Sequence, residues 1–143
     1  MLRSSPQGRP ALTDDLTGLI EGLQADALRG RPQNIRPARL ASGFRSRFAA
    51  DEISDLIVPK RTLARRIANR EALSPEETDR AVRVGSVSLT AERVFADPDK
   101  AGAWLRKANP ALNAQRPLDL LRTEAGANAV LELLGQIDHG MFA

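Results

Sequence analysis

The chain has 143 residues, 42% of them apolar and 27% charged, a composition that folds and is not disordered. It holds no cysteine and a single histidine, which excludes disulfides, thiol chemistry, cysteine-ligated zinc and histidine metal clusters. The net charge of +3 conceals an uneven split: residues 1–70 carry 13 Lys and Arg against 7 Asp and Glu, and residues 71–143 carry 8 against 11. The first half therefore suits a polyanion and the second a different partner. Aromatics make up only 3%, so the core must be built from Ala, Leu, Val and Ile, which favours close helix packing. No apolar run approaches the roughly 20 residues that span a bilayer, and Met1–Pro10 has no apolar signal core. A cytoplasmic protein with no membrane partner is the expectation.

Residues 1–12 are rich in Pro, Gly, Ser and Arg and read as an arm. Thr13 is placed to cap a helix whose first turn holds Asp14 and Asp15, at the positive end of the helix dipole. That helix, Asp14–Leu28, has one apolar face of Leu16, Leu19, Ile20, Leu23 and Ala27, and Gly30 stops it. Two prolines make residues 31–37 a linker. A helix over Ala38–Phe48 is predicted next, then a short one over Asp51–Ile57 with acids at its start. After a turn at Val58, Pro59 enters the first turn of a basic helix, where its missing N–H costs nothing.

In that helix Leu63 and Ile67 repeat at i, i+4 and mark a face for burial. Lys60, Arg61, Thr62, Arg65, Arg66 and Asn69 lie off the apolar line and are the candidate DNA contacts. Arg pairs bidentately with guanine, Asn with adenine, and further cations hold phosphates. Short helix, tight turn and basic helix make a helix-turn-helix. A merely solvated basic face is the competing reading of these residues.

Ser74-Pro75-Glu76-Glu77 is a capping box with Pro at N1, opening a helix that runs to Phe95. Small and branched residues on several of its sides predict burial beyond one seam, and hence a homodimer that this helix helps to form. Asp97-Pro98-Asp99 restarts a helix carrying Ala101, Trp104 and Leu105, with Trp104 read as core. Asn109–Leu112 is a turn and Arg116–Leu121 a short helical segment. Thr123 caps the last helix, in which Ala127, Val130, Leu131, Leu134 and Ile137 face inward. No alternating strand pattern or internal repeat occurs. The fold class is all-α, with an N-terminal arm, helix and linker over 1–37, a helix-turn-helix over 38–73, and a helical dimerisation domain over 74–143.

Catalysis has no obvious seat. No Gly-x-Ser-x-Gly elbow or Gly-x-x-x-x-Gly-Lys phosphate loop is present, and Glu76, Glu77 and Asp79 are explained by a helix start. The chain is read as no enzyme, with no catalytic residues, cofactor or metal.

A set of ordered motifs carries a resemblance. They are Arg61-Thr62-Leu63-Ala64-Arg65-Arg66, Leu73–Arg80, Val94–Ala101 leading to Trp104-Leu105, Asn109-Pro110-Ala111-Leu112, Pro117–Leu121, Thr123-Glu124-Ala125-Gly126 and Leu134–Phe142. From about Val58 to Ala143 the chain resembles the Xre/MbcA/ParS-type antitoxins; residues 1–50 are not covered comparably. The resemblance implies an Xre-like DNA-binding region followed by a region that binds a toxin with the RES domain. Such toxins consume NAD, by degrading it or by transferring ADP-ribose, and that chemistry belongs to the partner. It also implies an antitoxin, usually dimeric, that represses its own operon by binding operator DNA. Asn109, Pro110, Leu112, Leu118, His139, Gly140, Met141 and Phe142 are the candidate toxin-binding residues, with Met141 and Phe142 as apolar anchors after Gly140.

The chain departs from the family pattern before the basic helix. Asp55–Pro59 has no glycine at the tight turn, and Ile53 stands where Ala is common. A stand-alone transcriptional regulator, or a protein-binding antitoxin with an inactive helix-turn-helix, are the alternatives. The Asp14–Leu28 helix competes with the C-terminal segment as the element that blocks the toxin.

Overall fold

A computed structural model of the chain describes residues 15–140, and within them the fold is all-α, with no strand. The chain divides after Thr78 into two compact units. No helix among the described residues is long and apolar enough to cross a membrane.

The first unit opens with α1, Asp15–Leu28, which buries Leu16, Leu19, Ile20 and Leu23 as its pattern predicts. The expected cap at Thr13, with Asp14, lies outside the described residues. Ala27 is exposed instead of buried, as is Leu28 beside it at 89%. Gly30, at φ +69°, closes the helix while the Arg31 N–H reaches back to the Asp26 carbonyl at 2.8 Å. The linker is not loose: Gln33 donates to the Leu23 carbonyl at 2.9 Å, and Ile35 is buried.

Helix α2, Pro37–Phe44, packs on α1, with Gly43 beneath Leu19. It ends four residues before the predicted Phe48. The chain loosens into a turn there, yet Phe48 still returns to the core, its ring 5.7 Å from that of Phe44. Helix α3 is Ala50–Leu56, its start closed by the Glu52 carboxylate, which accepts from the Ala49 N–H at 2.9 Å. The turn to the basic helix α4, Lys60–Asn69, runs through Ile57 at φ −122°, ψ −65°. None of Ile57, Val58 and Pro59 has positive φ, so this turn does not require the glycine that the family pattern supplies. Val58 seals it by full burial.

Helix α5, Pro75–Phe95, begins in the first unit and continues into the second, with the bounds its capping box and apolar pattern predict. In the second unit, α6, Pro98–Leu105, is capped by the Asp97 carboxylate, which accepts from the Asp99 N–H at 2.8 Å. Trp104 packs its ring 5.5 Å from Phe95. A 3-10 turn, Pro110–Leu112, precedes two left-handed residues, Asn113 and Ala114, which bring Gln115 back to pair with Asn109. Then come α7, Pro117–Leu120, and α8, Glu124–Asp138. The Thr123 hydroxyl accepts from the Gly126 N–H at 2.9 Å, as its cap role predicts. In α8 the buried residues are Ala127, Val130, Leu133 and Leu134. Leu131 and Ile137, expected inside, are half-buried, and Leu133 takes the inner position, so the inward stripe is rotated from the predicted one.

Candidate functional site

Helix α4 buries none of its residues fully. Thr62, Leu63 and Arg66 are its half-buried side, and Arg61, Ala64, Arg65 and Ala68 are exposed. The spacing i, i+3, i+4, i+7 puts these last four on one stripe. Two arginines therefore alternate with two alanines, whose short side chains leave the helix backbone open to close approach. Lys60 and Asn69, also exposed, stand at the two ends.

Ile67 does not complete the buried line expected with Leu63. It is 45% exposed and borders an open groove lined by Ile35, Arg36, Pro37, Arg70 and Ala72. Lys60 is drawn onto the Asp51 carboxylate, and its presence holds Asp51 below the usual carboxylate range. Both partners are well exposed, so a competing phosphate can displace this pair at little cost. Arg65 lies 3.3 Å from Glu71 in a similarly open pair. Arg61 makes no ion pair among the described residues.

Two of the six predicted DNA contacts, Thr62 and Arg66, lie on the half-buried side and off the exposed stripe, and Arg66 is turned to an acid there. Its side chain is 18% exposed, and it is directed inward to Glu77. Nη2 donates to Glu77 Oε2 at 3.2 Å, and Nε lies 2.8 Å from Oε1. The Nε approach is poorly aligned for a hydrogen bond, so the attraction there is chiefly Coulombic. Glu77 is itself fixed, since Oε1 accepts from the Ser74 N–H at 2.8 Å and the Glu77 N–H donates to Ser74 Oγ at 3.1 Å. Burial pushes the Glu77 carboxyl up, but the Ser74 backbone N–H and the Arg66 guanidinium together outweigh it and hold the group below its ordinary value.

Helix α4 ends in a Schellman motif on Arg70, at φ 56°: the Glu71 N–H reaches the Arg66 carbonyl at 2.9 Å, and the Arg70 N–H the Ile67 carbonyl at 3.2 Å. This turn brings Glu71 back beside Arg65 and Arg66. Sequence reasoning missed the Arg66–Glu77 pair, and nothing in an eleven-residue spacing signals it. The alanines were legible, since they share the stripe of Arg61 and Arg65.

In the second unit, Asn109 caps the 3-10 turn by accepting from the Ala111 N–H at 2.9 Å, and Pro110 stands exposed beside it. Leu112 is half-buried, and this turn packs on α8. Leu118, predicted to meet a toxin, is 2% exposed and belongs to the core. Its place at the start of α7, against α8, is what buries it. His139 is exposed at the end of α8 with Nδ1 2.7 Å from the Gly135 carbonyl, and Gly140 follows at φ +75°. Met141 and Phe142 lie outside the described residues.

Residues 90–140 match the family model of the antitoxin Xre/MbcA/ParS C-terminal toxin-binding domain, and they lie wholly in the second unit. Across this region the chain is similar to the Xre/MbcA/ParS antitoxins, as the motifs indicated. It is 37% identical over 86 residues to an antitoxin Xre of Pseudomonas putida, an alignment covering 60% of this chain and 54% of that protein. An antitoxin Xre of Yersinia enterocolitica is 36% identical over 87 residues, covering 60% and 59%, and one of Photorhabdus laumondii is 33% identical over 82, covering 57% and 55%. The chain thus matches a little over half the length of these relatives.

Proposed function

We propose that this chain is the antitoxin of a toxin–antitoxin pair, that its second unit binds and blocks a RES-domain, NAD-consuming toxin, and that its first unit binds operator DNA to repress the operon. The match of residues 90–140 to a toxin-binding domain is the observation that carries this reading. The exposed stripe of Arg61, Ala64, Arg65 and Ala68, with Lys60 and Asn69 at its ends, supports the DNA half. A homodimer, with α5 contributing to its interface, would present two such helices to a two-fold site. On the second unit, Asn109, Pro110, Leu112, His139 and Gly140 remain the proposed toxin contacts, together with Met141 and Phe142.

Two measurements test the reading. Co-expression with a candidate cognate RES-domain toxin is expected to preserve cellular NAD and to yield a complex by affinity capture; continued NAD loss with no complex would reject the antitoxin function. A duplex from upstream of its own gene is expected to bind wild type, and the R61A/R65A variant about tenfold or more weakly, since a base-reading arginine contributes about 1–3 kcal/mol. Equal binding by both proteins would reject α4 as the reading helix.

A further inference from the structure

A helix that buries none of its own residues cannot be oriented by apolar packing alone. In α4, Leu63 is only half-buried and Ile67 faces an open groove. Its start is tethered by the Lys60 N–H, which donates to Ser54 Oγ at 3.1 Å, and its end by the turn at Arg70. The helix packs on α2 and α3 through side chains that are no more than half-buried, and both tethers act at its ends. Between them the Arg66 guanidinium reaches across to both oxygens of Glu77, with side-chain exposures of 18% and 8%. Glu77 in turn cannot swing away, because Ser74 holds it through the reciprocal bonds of the capping box. The Nη2 hydrogen bond to a fixed carboxylate oxygen specifies direction, and the charge attraction at Nε adds to the hold.

We propose that Glu77 is a positioning residue for DNA reading: acting through Arg66, it sets the rotation of α4 so that Arg61, Ala64, Arg65 and Ala68 face the groove. Arg66 then contributes to affinity without touching DNA. This inference rests on the DNA-reading role of α4 proposed above.

The test uses the full chain, a duplex from upstream of its own gene, and a temperature at which circular dichroism shows every variant folded. E77Q and R66A are each expected to bind about tenfold or more weakly. E77Q leaves Arg66 only the more open Glu71, at 3.4 Å, and R66A removes the guanidinium that Glu77 directs. The double variant is expected to bind no worse than either single one, the signature of a shared interaction. The slope of log affinity against log salt is expected to stay at the wild-type value in all three, whereas K60A, which removes a cation open to phosphate, lowers it by about 0.9 for one lost phosphate contact. R66K, which keeps the charge, is expected to recover part of the R66A loss; R66K and E77Q also carry the test if R66A does not fold.

A reduced salt slope in R66A would make Arg66 a direct phosphate contact and overturn the proposal. So would wild-type affinity in folded E77Q. If R61A/R65A binds as wild type does, the DNA-reading role itself fails, a result distinguishable from both of these.

Discussion

Glu77 combines opposing influences whose balance has a measurable consequence. Its folded pKa lies below the ordinary 4.5, with burial opposed and outweighed by Ser74 and Arg66. A depressed carboxylate contributes stability that is present above the unfolded value and lost as pH falls through the folded one. The thermal stability of wild type is therefore expected to fall below about pH 4.5, the unfolded reference. E77Q, which cannot titrate there, is expected to be less stable at pH 7 and to show a flatter acid limb. Parallel acid limbs in the two proteins would remove Glu77 as a source of the pH dependence. The two halves of this residue's environment differ in legibility. The Ser74 bond was readable because a capping box places its partners three residues apart. The Arg66 bond was not, because it depends on a left-handed Arg70 turning the chain back, and arginine carries no local signal for that conformation.

At the scale of elements, α8 is positioned by one residue without a side chain. A Cβ on Gly126 would lie 2.0 Å from the Leu120 carbonyl oxygen, so the start of α8 sits directly on the end of α7. The same helix holds Gly135, around which a Cβ would meet nothing within 4 Å. G126A is expected to destabilise the chain by about 1–3 kcal/mol or more, because backbone must move to admit the methyl group. G135A is expected to stabilise it by up to about 1 kcal/mol through helix propensity. Denaturant unfolding of both variants checks the pair, and equal effects would contradict the tight packing of α7 on α8. The motif Thr123-Glu124-Ala125-Gly126 showed where this helix begins; that its glycine serves a neighbouring backbone required the fold. The helix starts after Ser74, Asp97 and Thr123 were legible because each side chain accepts from an N–H two or three residues on, whereas the starts at Pro37, Lys60 and Pro117 carry no side-chain cap. Helix ends and buried faces were less so. The overrun to Phe48 arose because an apolar residue can return to the core from a loose turn, and Leu133 was missed because tertiary packing chose the stripe of α8.

At the scale of the whole chain, charge and fold divide at nearly the same place. Residues 1–70 hold the excess of Lys and Arg, residues 71–143 the excess of Asp and Glu, and the units part after Thr78. A basic surface gains its affinity for DNA from counterion release and loses it steeply with salt. An acidic surface is suited instead to the cationic groups that an NAD pocket offers a diphosphate. The two proposed activities should then fail independently. R61A/R65A is expected to lose operator binding and still preserve NAD in cells making the toxin. Deleting residues 140–143, which include Met141 and Phe142, is expected to leave helicity and operator binding intact while weakening toxin capture and restoring NAD loss. Leu118 serves as the contrast, since a core residue that is 2% exposed should fail by unfolding when cut to Ala, at about 2–5 kcal/mol, and not by a selective loss of toxin binding. If the 140–143 deletion protects cells fully while removal of residues 1–30 abolishes protection, the blocking element is α1. Its fully exposed end at Leu28 would then be the apolar group to examine next.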